Sequence, residues 1–70
     1  MVKIKIKSIR RSKGYTIRQL SEMSGISKSQ IARIENGEQS PTIDTLCEIA
    51  KALGVSANDT YEYIAENPQG

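Results

Sequence analysis

The sequence has no histidine, no tryptophan, no phenylalanine and only one cysteine, Cys47, among its 70 residues. Without histidine, neither a cysteine–histidine nucleophile nor a cysteine–histidine zinc site can form. A single cysteine forms no internal disulfide, which favours a reducing compartment. The apolar runs fall well short of the roughly 20 residues of a membrane-spanning helix. We therefore expect a cytoplasmic protein that is not an enzyme and has no metal, cofactor, membrane contact or small-molecule ligand.

Proline is also scarce, with two residues, and the prolines and glycines fall between periodic segments rather than inside them. A chain this short supports one compact domain, which buries only about 60% of the surface of its unfolded chain. We expect a single domain over residues 1–66. Asn67, Pro68 and Gly70 predict a flexible tail over residues 67–70.

Acidic residues are nearly absent from the first half of the chain. Residues 1–33 contain nine lysines and arginines against one glutamate, and residues 34–70 contain one lysine against seven acidic residues. The small net charge of +2 therefore conceals a basic half and an acidic half. A basic end is suited to a polyanion such as DNA, although the same charge could form an ordinary solvated face.

Apolar spacing and helix caps predict an all-α fold of five helices. Thr16 with Gln19, Ser27 with Gln30, and Ser56 with Asp59 have the spacing of capping boxes. Gly25, Gly37 and Gly54 stand where helices commonly end. The expected helices span residues 3–13, 17–24, 28–36, 43–53 and 57–66.

The first six residues permit a second interpretation. Val2, Ile6 and Ile9 have helical spacing, but Val2, Ile4 and Ile6 also alternate with lysines as a strand would. The lysines could then form a basic arm along a phosphate backbone. Helix, strand and arm all remain open at this point.

The second and third helices have the pattern of a helix-turn-helix. Two short helices joined by a glycine-containing turn place the second helix in the major groove of DNA. The apolar positions expected to hold the two helices together are Leu20, Ile26, Ile31 and Ile34. Burying them turns the other side of the third helix outward, with Lys28, Ser29, Ala32 and Arg33.

The outward side chains have the chemistry of base recognition. Arg33 can donate two hydrogen bonds to guanine O6 and N7, Lys28 can reach the same acceptors, and Ser29 can donate or accept. Helix N-termini attract phosphate through free N–H groups. The residues expected to contact the DNA backbone are Lys7, Lys13, Thr16, Arg18, Ser27 and Asn36.

These motifs resemble the lambda-repressor-like family, also called the Cro or XRE helix-turn-helix family. The resemblance is carried by Ile-Arg-Arg-Ser-Lys-Gly at 9–14, Gly-Ile-Ser at 25–27, Ile-Ala-Arg-Ile-Glu-Asn-Gly at 31–37, and Ile-Ala-Lys-Ala-Leu-Gly-Val at 49–55. It implies a compact five-helix domain that binds double-stranded DNA as a homodimer and reads it with the third helix. It also implies an ion pair between Arg10 and Glu35, whereas Arg10 could otherwise belong to the basic face. Ile17 departs from the family, which often has a phosphate-binding glutamine there.

The expected function is sequence-specific transcriptional regulation, most simply repression at a palindromic operator. An antitoxin or restriction-modification controller would use the same fold, and a protein-interaction module that ignores DNA is a further alternative. Cys47 and Met23 are expected in the core. Tyr61 and Tyr63 could be one buried and one exposed residue, or a self-association patch.

Overall fold

Four α-helices make up most of the fold in the computed structural model, which describes residues 1–65. A short 3₁₀ turn and a two-stranded sheet complete it. In chain order the elements are β1 (Val2–Ile4), α1 (Ile6–Ser12), α2 (Ile17–Ser24), α3 (Lys28–Glu35), α4 (Ile43–Leu53), the 3₁₀ turn (Ala57–Thr60) and β2 (Tyr61–Tyr63).

Capping residues determine where α2, α3 and α4 begin. The hydroxyls of Thr16, Ser27 and Thr42 each accept a hydrogen bond from the backbone N–H three residues later. Satisfying these free donors stabilises a helix by about 1 kcal/mol. Gly25 and Gly54 end α2 and α4 in the left-handed region, with φ of 78° and 74°. The bounds of these helices lie within one residue of those expected.

The prediction of five α-helices is wrong. Residues 57–66 were expected to form the fifth, but the helical part is the single 3₁₀ turn, and the chain then extends into β2. Half of the expected capping box forms: Asp59 Oδ2 accepts from the N–H of Ser56 at 3.1 Å, whereas the N–H of Asp59 donates to the backbone carbonyl of Ser56 at 2.9 Å. Residue 66 and the expected tail over 67–70 lie outside the described residues.

Strands β1 and β2 pair in an antiparallel sheet. Val2 pairs with Tyr63 and Ile4 with Tyr61. The N–H of Lys5 donates to the carbonyl of Thr60 at 2.8 Å. Because residues 2–4 are used in this pairing, α1 begins at Ile6 rather than at residue 3. Of the three interpretations of the N-terminus, the strand is the one observed.

The core lies where α1, α2, α3 and α4 meet. Its fully buried side chains are Ile6, Leu20, Ile31, Ile34, Ile49 and Leu53. Two predictions of core residues are wrong: Cys47 is exposed, and Met23 is 44% exposed. Helix α4 has more apolar residues than one face can bury. Ile49, Ala50 and Leu53 are buried, and the face with Ile43 and Cys47 points outward.

Candidate nucleic-acid interface

The turn between α2 and α3 is fixed by three local features. Gly25 has a φ of 78°, a conformation that glycine adopts without steric cost. The hydroxyl of Ser21 donates to the carbonyl of Ile26 at 2.6 Å, and the N–H of Ile26 donates to Ser24 Oγ at 3.2 Å. These bonds satisfy the backbone of the turn and fix the direction in which α3 leaves it.

Apolar packing then fixes how α3 is rotated about its axis. Ile31 and Ile34 are completely buried, and Leu20 on α2 is buried beneath them. Ile26 is half-buried at the turn and packs against the same core. With a period of 3.6 residues, burial of Ile31 and Ile34 leaves the opposite side of α3 free for solvent.

That opposite side of α3 contains the residues predicted to read bases. Lys28, Ser29 and Arg33 are all exposed, and Ala32 beside them is half-buried. The outward face of α3, defined by Lys28, Ser29, Ala32 and Arg33, therefore offers two cations, a hydroxyl and a methyl group. Such a set can donate to guanine or phosphate and contact a thymine methyl.

Two of the predicted phosphate-binding residues are helix caps. Thr16 Oγ1 accepts from the N–H of Gln19 at 3.0 Å, and Gln19 Oε1 accepts in return from the N–H of Thr16 at 2.8 Å. Ser27 Oγ accepts from the N–H of Gln30 at 3.1 Å, so only half of the expected second capping box is formed. Both hydroxyl oxygens are thus engaged, and each hydroxyl keeps a hydrogen that can still be donated to a phosphate.

Arg18, in the first turn of α2, forms a weak ion pair. Its Nε lies 3.6 Å from Glu22 Oε2, and both side chains are largely exposed. Pairs of this kind contribute little because water screens them. A phosphate could therefore replace Glu22 as the partner of Arg18.

The remaining backbone candidates lie at helix ends and are exposed. Lys7 is near the start of α1 and Lys13 is its C-cap. Six residues of helix separate them by about 9 Å along the axis. Asn36 is the C-cap of α3. Lys7 is thus at the end of α1 nearer the sheet, and Lys13 is at the end nearer α2.

Arg10 and Glu35 form a buried, two-pronged ion pair between α1 and α3. Arg10 Nε donates to Glu35 Oε2 at 2.8 Å and Nη2 donates to Oε1 at 3.0 Å. The side chains are only 9% and 3% exposed. Arg10 Nη1 also donates to the carbonyl of Tyr15 at 2.8 Å. The hydrogen bond to Glu35 raises the pKa of Arg10, although burial alone would lower it.

The N-terminal lysines are not a free arm. Lys3 lies within β1, directly opposite Glu62 on β2, and Lys5 precedes α1 with its backbone bonded to Thr60. The sequence signal for this sheet was present in the alternation of Val2 and Ile4 and in the two tyrosines of β2. No local signal in the sequence shows that these two segments pair with each other.

Among residues 1–65, no cluster of three or more histidine, cysteine, aspartate or glutamate residues could hold a metal ion. Within the same part of the chain, no helix is long and apolar enough to cross a membrane.

The fold and the packed α2–turn–α3 unit define a helix-turn-helix protein. The chain belongs to the HTH_3 helix-turn-helix family, whose model matches residues 6–59. The resemblance seen in the sequence is thereby confirmed. Strand β1 and strand β2 lie outside the matched residues.

Several transcriptional regulators are similar to this chain. It is 40% identical over 50 residues to the regulator SutR of Escherichia coli, and the aligned region covers 71% of this chain and 28% of SutR. It is 39% identical over 62 residues to the uncharacterized regulator y4dJ of Sinorhizobium fredii, covering 89% of this chain and 80% of that protein. The chain thus spans about a quarter of one relative and four-fifths of the other.

Two solved structures have the same fold. An HTH_3 family transcriptional regulator from Vibrio cholerae superposes with a TM-score of 0.74 at 40% identity, over 76% of this chain and 30% of that one. The restriction-modification controller protein C.AhdI from Aeromonas hydrophila superposes with a TM-score of 0.76, over 79% and 83% of the two chains. At 22% identity, the second likeness concerns the fold alone.

Proposed function

We propose that this chain is a sequence-specific DNA-binding transcriptional regulator that places α3 in the major groove. The observation that carries the proposal is the outward face of α3, where Lys28, Ser29 and Arg33 are exposed on a helix held by a buried core. Membership of the helix-turn-helix family and the relatives named as transcriptional regulators support it.

Arg33 and Lys28 read bases in this proposal, and Ser29 adds a neutral contact. Arg33 pairs with guanine O6 and N7 through two parallel hydrogen bonds. Thr16, Arg18, Ser27 and Asn36, with Lys7 and Lys13 of α1, hold the DNA backbone. Phosphate contacts fix the register of the protein but carry no sequence information.

The protein acts in this proposal as a homodimeric repressor in the cytoplasm, without catalysis. Two copies on a palindromic operator place their α3 helices in successive major grooves about 34 Å apart. Bound there, the dimer excludes RNA polymerase sterically.

A selection from random duplex DNA tests the proposal. A palindromic consensus is expected, with affinity falling steeply as salt rises because phosphate contacts release counterions. Failure to enrich any sequence would contradict it.

Two variants then separate base reading from phosphate binding. Arg33→Ala should lose about 1–3 kcal/mol of preference at one base position, whereas Lys13→Ala should weaken all sequences alike. Lys51→Ala on α4, an exposed lysine outside the proposed interface, is the matched control. An Arg33→Ala protein with unchanged base preference would exclude Arg33 as a reader.

A further inference from the structure

One face of the sheet is apolar and only partly covered. Side chains alternate along a strand, and Val2 stands opposite Tyr63 and Ile4 opposite Tyr61, so these four side chains share a face. Ile4 and Tyr61 are half-buried, but Val2 is 54% exposed and Tyr63 is 68% exposed. The outer end of this face therefore projects large apolar side chains into water.

A groove of about 580 Å³ separates this face from the start of α4. Ile43, the first residue of α4, stands at its rim and is 78% exposed. Cys47, one helical turn later and on the same side of α4, is also exposed. Other apolar side chains that line the groove include Val2, Ile4, Ile34, Pro41, Leu46 and Tyr61.

We propose that a second copy of this chain packs over this surface, with Ile43 of each copy seated in the groove of the other. The groove surface, as we name it, consists of Val2, Ile4, Pro41, Ile43, Leu46, Tyr61 and Tyr63. The inference rests on the homodimer of the proposed function and assigns its interface.

The size of the groove surface matches what a dimer of standard size needs. Val2, Ile43 and Tyr63 are 54%, 78% and 68% exposed, and the other four side chains are half-buried. The exposed apolar area is therefore on the order of 500 Å², with roughly 150–250 Å² for a fully exposed aromatic side chain and less for an aliphatic one. A stable interface takes about 800 Å² from each partner, and in homodimers about 65% of it is apolar, which is roughly 520 Å². The groove surface therefore supplies nearly all the apolar area that one partner must contribute.

Its shape suits a two-fold axis. In a symmetric dimer the same surface meets itself, so a projection on one copy must fit a hollow on the same surface of the other. Ile43 is such a projection, and the groove beside it is such a hollow. Strands β1 and β2 lie outside the residues that the family model matches, so Val2, Ile4, Tyr61 and Tyr63 of the groove surface are not part of the family pattern.

The groove also adjoins the candidate DNA interface. Gly37, Gln39 and Ser40, in the loop that directly follows α3, line it. A partner seated there contacts the segment that joins α3 to α4. Dimer contact and the placement of α3 are thereby linked through one loop.

Sedimentation velocity without DNA tests the interface. The wild-type chain should pass from monomer to dimer as its concentration rises. Ile43→Glu should raise the dimer dissociation constant by about 100-fold or more, because symmetry introduces the charge twice. Glutamate at the first position of a helix is compatible with the helix dipole, so the variant should fold normally. Met23→Glu, at a residue 44% exposed on α2, is the matched control and should dimerise like the wild type.

The thiol of Cys47 gives a second measurement. Its reaction with a maleimide should slow as the wild-type or Met23→Glu protein is concentrated, and should not slow for Ile43→Glu. A wild-type protein that stays monomeric at every concentration, or an Ile43→Glu protein that dimerises like the control, would overturn the inference. A monomer that still selects a DNA sequence overturns this interface alone, whereas a dimer that selects none overturns only the proposed DNA binding.

Discussion

Replacing Arg10 by alanine would leave the Glu35 carboxylate buried without its partner. The Glu35 side chain is 3% exposed, and Arg10 provides both of its short hydrogen bonds. Removing one partner of a buried pair typically costs about 3–5 kcal/mol. At roughly 0.05–0.15 kcal/mol per residue, a chain of this size has about 4–10 kcal/mol of total stability. Arg10→Ala should therefore lose a third of the stability or more.

Urea unfolding followed by far-ultraviolet circular dichroism measures this loss. With a slope near 1 kcal/mol per molar urea, the midpoint should fall by about 3–5 M. Arg11→Ala removes a neighbouring exposed guanidinium from the same helix and is the matched control, with an expected effect within about 0.5 kcal/mol. Equal midpoints for the two variants would refute the buried-pair reasoning.

The double replacement Arg10→Met with Glu35→Leu provides a complementary test. Exchanging a buried ion pair for apolar residues of similar volume is often neutral, so the double variant should be more stable than Arg10→Ala. The raised pKa of Arg10 means that the guanidinium is charged at neutral pH, and that its contribution to stability is lost on the alkaline side as the pH rises through that raised pKa. The loss in free energy of unfolding caused by Arg10→Ala should consequently be constant across the neutral pH range. A large change there would show that another group titrates.

Three further predictions concern the helix-turn-helix. Thr16→Ala removes the cap of α2 and should lower the free energy of unfolding, measured in urea, by about 1 kcal/mol. Thr16→Ser keeps the hydroxyl and should change this free energy little. Gly25→Ala should lower the free energy of unfolding by about 1–2 kcal/mol because φ at this position is 78°. No atom lies within 4 Å of an added Cβ, and asparagine tolerates the left-handed region better than alanine, so Gly25→Asn should lose less stability than Gly25→Ala. Ser21→Ala leaves the half-buried carbonyl of Ile26 without its 2.6 Å donor and should cost about 1–3 kcal/mol. A thermal midpoint equal to wild type for Ser21→Ala would contradict the role given to that bond.

The helical part of the fold was predictable because its boundaries are local. A hydroxyl at Thr16, Ser27 or Thr42 bonds a backbone N–H three residues away, and Gly25 or Gly54 supplies the left-handed residue that ends a helix. Such signals can be read in a window of a few residues. The outward position of Lys28, Ser29 and Arg33 follows from the same short-range geometry once Ile31 is buried.

The sheet was not predictable in the same way because its two strands are about 60 residues apart in sequence. Ser56 and Asp59 start a helix correctly, but nothing local shows that Tyr61 will pair with Ile4 and end it. The burial of α4 poses a similar problem. Seven of its eleven residues are apolar, and only tertiary packing decides that Ile49 is covered and Ile43 is not.

The Arg10–Glu35 pair connects the stability of the fold to the charge of its candidate DNA interface. Glu35 is the last residue of α3, so an exposed carboxylate there would repel phosphates beside Lys28 and Arg33. Both carboxylate oxygens are instead bonded to a guanidinium from α1 and turned into the protein. The described side chains on the outward face of α3 are therefore cationic or neutral. A substitution that released Glu35 would weaken the fold and place a negative charge near DNA, so its effects on stability and on binding should appear together.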